Sequence, residues 1–143
     1  RLVLAGKSGW LHGGIMKEAR NSHARDRIAF LGPVENQERV FLYNLAEAFV
    51  YPSFFEGFGF PPLEAQACGC PTIVSDRTSL PEIAGDAALL IDPWRIDTLT
   101  EAIVKILEDK KLKEKLIKNG FRNAAKFNWE KAAREVITLF NGK

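Results

Sequence analysis

The sequence predicts a doubly wound α/β domain with extra helices at its carboxyl end, and three observations carry that prediction. Short apolar runs at 2–5, 27–31, 48–51, 71–75 and 88–91 alternate with helical periodicity or polar loops. The run Pro71-Thr72-Ile73-Val74-Ser75 is continuously apolar at its middle, as a parallel strand covered on both faces should be. Beyond Thr98 only helical patterns remain. The 143 residues form one domain's length, enough to bury roughly two thirds of the surface the unfolded chain exposes. A composition of 46% hydrophobic and 27% charged residues excludes a disordered tail.

Leu2-Val3-Leu4-Ala5 ends at Gly6, and Lys7-Ser8-Gly9 lead into a helical stretch from about Trp10 to Ala19, which makes a β-loop-α unit. Gly13-Gly14 weakens that helix. Lys7, at the carboxyl end of a strand, either reaches a ligand phosphate or is solvated; ligands in open α/β sheets sit over that edge. A second strand over Arg27–Leu31 stops at Gly32-Pro33. The next helix runs from about Asn36 to Ala46, with Phe41, Leu42, Leu45 and Ala46 as its apolar face. Ala48–Tyr51 is the third strand, ended by Pro52, which withholds a backbone donor.

The stretch Tyr51–Cys70, YPSFFEGFGFPPLEAQACGC, concentrates unusual backbone chemistry. Gly57 and Gly59 flank Phe58, and a residue without a Cβ permits positive φ or close approach of a ligand to the backbone amides. Pro61 and Pro62 suit a first helical turn, so a helix is expected from near Pro62, with Glu64 in that turn. Glu56 and Glu64 lie eight residues apart, which one continuous helix would put on nearly the same face, but the glycines and prolines forbid that helix. The carboxylates must flank a tight loop, with the positive end of a short helix between or beside them. Such a helix start can cradle a phosphate, and each carboxylate can accept two hydroxyl hydrogen bonds. A sugar nucleotide has that order of polyol, phosphate, polyol. Three other readings stand beside this one: Glu64 serves only the helix dipole, Glu56 is solvated, or the two are the acid and base of a hydrolase.

Pro71–Ser75 is the fourth strand. Ser79-Leu80-Pro81-Glu82 reads as a capping box, Gly85-Asp86 as a turn, and Ala88–Ile91 as a fifth strand ended by Asp92-Pro93. Thr98 and Glu101 read as a second capping box, ahead of a stripe of Leu99, Ile103, Ile106 and Leu107. Leu112, Leu116 and Ile117 belong to a lysine-rich helix expected to end near Asn119-Gly120. Asn128 caps a last helix whose Trp129, Ala133, Val136, Ile137 and Phe140 are expected to face the core.

The net charge of +2 is unevenly spread: residues 1–108 carry 10 basic and 14 acidic groups, residues 109–143 carry 10 basic and 4 acidic. The basic late helices are either a solvated face whose lysine stems cover apolar surface, or a surface drawn to anionic lipid headgroups. Nucleic acid is not an expected partner, because no basic stripe is interleaved with aromatic platforms. No run approaches the ~20 apolar residues of a membrane span, and Arg1 opens no secretory signal pattern. A cytoplasmic protein is expected, with peripheral contact at the inner membrane surface as the sharper reading of the basic helices. Cys68 and Cys70 are too close for an ordinary disulfide, and with no clustered histidines a zinc site lacks ligands; two buried thiols are expected. His12 and His23 receive no role.

Glu56-Gly57-Phe58-Gly59, Glu64 and the continuation Ala65-Gln66-Ala67-Cys68-Gly69-Cys70-Pro71-Thr72-Ile73-Val74-Ser75 resemble the E-x7-E motif of the group 1 retaining glycosyltransferases with the GT-B architecture. Ser79-Leu80-Pro81-Glu82-Ile83 and Asn128-Trp129-Glu130 are similar to that family too, so the resemblance covers nearly the whole chain. It implies a Rossmann-like half of a GT-B fold, with residues 1–143 as the donor-binding, carboxyl-terminal domain. It further implies that Glu56, the catalytic candidate, holds the donor hexose with the amides of Gly57, Phe58 and Gly59. Glu64 takes the ribose hydroxyls, the helix start near Leu63 faces the diphosphate, and the loop at Leu31-Gly32 lies near the base. The implied reaction moves a hexosyl group from a nucleotide sugar such as GDP-mannose or UDP-glucose to an acceptor, with retention and with no metal or other cofactor. Ala5-Gly6-Lys7 and Arg77–Glu82 look most like mannosyltransferase members. Readings of other classes are a nucleotide-sugar binding module without catalysis, a sugar-nucleotide epimerase and a phosphorylase.

Two departures from the family pattern generate expectations. The amino-terminal, acceptor-binding domain is missing, so the isolated chain is expected to be inactive. The first strand of the family domain is also missing. With strand order 3-2-1-4-5-6, that strand would lie between Leu2–Ala5 and Ala48–Tyr51, leaving unpaired backbone groups at ~1–3 kcal/mol each. The natural polypeptide is therefore expected to continue upstream, or another chain to fill the place.

Overall fold

The computed structural model describes residues 1–9 and 12–142, and the chain divides into two compact units, Arg1–Arg39 and Val40–Lys143. In the first unit β1 (Leu2–Ala5) pairs in parallel with β2 (Ile28–Gly32) through Leu2↔Ile28, Val3↔Ala29 and Leu4↔Phe30, shifting to Ala5↔Gly32. Between them come α1 (Gly13–Asn21) and a 3-10 turn at Arg25–Arg27. Gly13 and Gly14 open α1 and do not interrupt it. The expected start at Trp10 lies outside the described residues.

The division falls within α2 (Asn36–Leu45). Its buried residue is Tyr43, joined in a small core by Ala46, Phe49, Ala65 and Cys70. Phe41 and Leu45, expected on the apolar face, are exposed. The face is set by contact with the third strand and the helix after it, which helical periodicity alone does not register.

The second unit holds a three-stranded parallel sheet in the order β3 (Phe49–Tyr51), β4 (Thr72–Ser75), β5 (Ala88–Ile91). Within each sheet the strands neighbour one another in the expected order. Every residue of β4 is buried. Its side chains alternate between faces: Ile73 packs with Ile91, Ala102, Ile106 and Leu116, while Val74 packs with Leu80 and Ala84. The first group joins α5 (Ile96–Glu108) and α6 (Lys110–Ala124); the second joins α4 (Leu80–Ala84). In the α5 stripe Ile106 is buried, as is Ala102 outside the stripe, whereas Leu107 is exposed.

Several local expectations give way to tertiary contacts. Ser79 precedes α4 without capping it, and α5 begins at Ile96, so Thr98 lies inside the helix and donates to the Asp92 and Arg95 carbonyls. Neither capping box forms. Helix α6 runs through Asn119-Gly120 to Ala124. A Cβ on Gly120 would lie 3.3 Å from the Gln66 Cβ, so this glycine admits α3 (Phe60–Ala67) against α6 and does not end a helix. Asn128 does cap α7 (Trp129–Phe140), accepting from Glu130 N–H at 2.8 Å and Lys131 N–H at 3.3 Å. None of the α7 residues is buried, so Trp129, Ala133, Val136, Ile137 and Phe140 do not reach the core of this unit. Cys70 is buried and Cys68 half-buried, both as free thiols. Burial raises the pKa of both, Cys70 to about 11, so they remain protonated.

A buried polar network ties α3 to α6. Asn123 Nδ2 donates to Gln66 Oε1 at 2.9 Å and to the Ile83 carbonyl at 2.8 Å, while Gln66 Nε2 donates to Thr72 Oγ1 at 3.3 Å. Among the described residues no buried side-chain nitrogen or oxygen lacks a partner. Asn123→Ala would strand Gln66 Oε1 and the Ile83 carbonyl in the interior, a loss of about 2–6 kcal/mol at roughly 1–3 kcal/mol per unsatisfied group. Urea denaturation should show it as a lowered midpoint with an unchanged slope.

Candidate functional site

The corner between β3 and α3 is fastened from both sides. Ser75, at the end of β4, donates to the Ser53 carbonyl at 2.5 Å. Glu56 N–H donates to Thr78 Oγ1 at 3.0 Å, and the Ser79 hydroxyl is shared between the carbonyls of Glu56 (3.0 Å) and Phe58 (2.8 Å). The Glu56 carboxylate accepts from the Tyr51 hydroxyl at 2.7 Å. Thr78 has φ 51°, the left-handed region in which a β-branched residue is a true outlier at about 1–3 kcal/mol. Gly59, buried at the N-cap of α3, has φ 105°, and a Cβ there would stand 2.7 Å from Leu80 Cδ2. Gly57 is different: its φ is not positive and the space beside it is open.

Helix α3 begins at Phe60, two residues earlier than the prolines suggested, because left-handed Gly59 supplies the turn-in. Pro61 and Pro62 therefore occupy its second and third positions, and Glu64 lies in the second turn, with no acidic residue in the first. Glu64 is half-buried and accepts from the Tyr43 hydroxyl at 3.2 Å. Among the described residues no protein acceptor meets the amides of Gly57, Phe58 or Gly59. The corner thus presents backbone donors between two carboxylate acceptors along the chain, an arrangement suited to an anion flanked by hydroxyl groups.

Lys7, Leu31 and Gly32 lie in the first unit. Gly6 N–H donates to the Gly32 carbonyl at 2.8 Å, which brings Lys7 beside Leu31 and Gly32; these two, expected in a loop, are the last residues of β2, kept in the strand by the Ala5↔Gly32 pairing. Lys7 and Leu31 are exposed. An open groove lined by Lys126, Asn128, Lys131 and Arg134 contains none of the expected site residues. Among the described residues no cluster of three or more His, Cys, Asp or Glu side chains is arranged to hold a metal, and no helix is long and apolar enough to cross a membrane.

The two tyrosines escaped the sequence reading, as did Thr78. Tyr51 carried a signal in its place at a strand end five residues before Glu56; Tyr43, on α2, had none. Burial, followed by the hydrogen bond to Glu56 and its negative charge, pushes the Tyr51 hydroxyl from 10.0 up to about 12. A phenol that holds its proton more tightly when folded contributes stability that is fully present below pH 10 and lost as pH rises through about 12. Denaturation midpoints of the wild type should therefore fall faster between those values than those of Tyr51→Phe. Parallel pH profiles would refute the contact.

Residues 1–123 match the family described as Glycosyl transferases group 1. The O-antigen chain mannosyltransferase B of Escherichia coli is 37% identical over 139 residues, covering 97% of this chain and 36% of that protein. Among solved structures, sucrose-phosphate synthase from Thermosynechococcus elongatus matches with a TM-score of 0.81 at 30% identity, over 99% of this chain and 38% of that one. HepE from Anabaena in complex with UDP-glucose matches with a TM-score of 0.82 at 19% identity, over 99% and 40%. The chain spans about a third of the length of the first of these relatives. With its parallel sheets and alternating helices, the fold is Rossmann-like, as in one half of the GT-B architecture. By the match across residues 1–123, the chain belongs to the group 1 glycosyl transferases.

Proposed function

We propose that this chain supplies the donor-binding half of a hexosyltransferase that moves mannose or glucose from a nucleotide diphosphate sugar to an acceptor with retention of configuration. The observation that carries the reading is the β3–α3 corner, where two tyrosine-held carboxylates bracket backbone amides left without protein acceptors. Glu56 positions and stabilises the hexose together with the amides of Gly57, Phe58 and Gly59. Glu64 accepts from the ribose hydroxyls, and the start of α3 faces the diphosphate, whose charge grows as the sugar leaves. The acceptor enters through a second half of the same enzyme, no metal is required, and the work is done in the cytoplasm or at the inner membrane surface. The mannosyltransferase named above supports mannose, and the UDP-glucose complex of the Anabaena protein keeps glucose in view.

Calorimetric titration of the complete enzyme with GDP-mannose, UDP-glucose, GDP and UDP tests the reading. One nucleotide sugar should bind. Glu64→Ala should weaken that sugar and its parent diphosphate alike, by about tenfold for one lost charged hydrogen bond. Glu56→Gln should weaken only the nucleotide sugar, and should reduce transfer far more than it lowers the denaturation midpoint. Binding of neither donor overturns the reading, as does a Glu56→Gln enzyme that loses stability and activity in step.

A further inference from the structure

The Glu56 backbone is held by a residue whose conformation is itself unfavourable. Thr78 sits in the left-handed region, exposed, between the Asp76–Arg77 pair and Ser79. Glycine would take this conformation without strain. A threonine there places Oγ1 3.0 Å from Glu56 N–H, and the adjoining Ser79 hydroxyl takes up the carbonyls of Glu56 and Phe58. The amide, the carbonyl and the carboxylate of Glu56 are thus each engaged, the last by Tyr51. Strain that persists where the surroundings over-determine it marks a position whose geometry does something else. No buried group needs Thr78: its only hydrogen-bonded partner among the described residues is the Glu56 amide.

We infer that Thr78 is a positioning residue for Glu56: its strained left-handed backbone holds a hydroxyl against the Glu56 amide and so fixes where the carboxylate meets the donor hexose. This rests on the role proposed for Glu56 above. The hydroxyl does not touch the donor; it acts through the loop. A glycine would relax the backbone and release the loop together, so stability and sugar recognition should move apart.

The test uses the complete enzyme and whichever of GDP-mannose or UDP-glucose binds more tightly, with its parent diphosphate as reference. In Thr78→Gly the denaturation midpoint should hold or rise, while affinity for the nucleotide sugar falls about three- to tenfold and affinity for the parent diphosphate stays level. Thr78→Ser, which keeps the hydroxyl, should recover most of that loss. A Thr78→Gly enzyme that loses stability, that binds the diphosphate equally weakly, or that binds the sugar as the wild type does overturns the assignment. Glu56→Gln separates the two claims. If it spares the sugar's share of the affinity, or if neither donor binds, both fall. If it removes that share while Thr78→Gly does not, only Thr78 loses its role.

Discussion

Three aromatic rings set the spacing of the two carboxylates in this fold. Tyr51 donates to Glu56 and Tyr43 to Glu64, and Phe49 stands between the two tyrosines, edge-on to Tyr43 at 5.1 Å and stacked with Tyr51 at 5.9 Å. Phe49 and Tyr51 share a face of β3 because side chains alternate along a strand, while Tyr43 arrives from α2. Each ring contact adds about 0.5–1.5 kcal/mol beyond the area it buries. The larger effect is geometric: a slip of β3 by one residue would turn both of its rings to the opposite face and pull Glu56 away from its donor. The position of the acidic pair is therefore a property of strand register.

The other side of the corner is held by polar groups in the core. Gln66 lies two residues beyond Glu64 on α3, so it points away from it, into the contact with α6. There it meets Asn123, Thr72 and the Ala84 carbonyl, all in the interior. An apolar residue would pack against several alternative positions, whereas a fully satisfied amide admits few. Gly120 brings the α6 backbone close enough for that contact. A short helix with a ligand-facing start thus has its orientation fixed along its rear face, and the front loop is left to carry the chemistry.

The strands and the acidic pair were legible because each is written locally. Apolar runs bounded by glycine, proline or aspartate located the five strands of the described residues to within a residue, and β1 and β5 at their observed limits. What failed was whatever depended on a distant neighbour. Ser79 and Thr98 have the residue types of helix caps, but their hydroxyls find loop carbonyls first. Asn119-Gly120 has the look of a helix end, and only Gln66, far upstream, explains why α6 runs through it. The apolar stripe of α7 is real as a pattern, yet periodicity reports that a face is apolar and not that a neighbour in the same unit meets it. The tyrosine hydroxyls belong to the same class, since nothing near Tyr43 in the sequence names Glu64.

The displacement of Glu64 from the first to the second turn of α3 has an electrostatic meaning. A carboxylate in the first turn would offset the positive end of the helix, an interaction of about 0.3–1 kcal/mol that also repels any incoming anion. In the second turn that offset is weaker, because the dipole's influence falls away within one turn. The prolines act in the same direction: at the second and third positions they contribute no N–H, which leaves the free donors of the helix start at Gly59 and Phe60. Starting the helix at left-handed Gly59 achieves both shifts at once. An anion can then meet the helix end while the same helix, one turn on, offers a carboxylate to hydroxyl groups, and the two functions do not cancel.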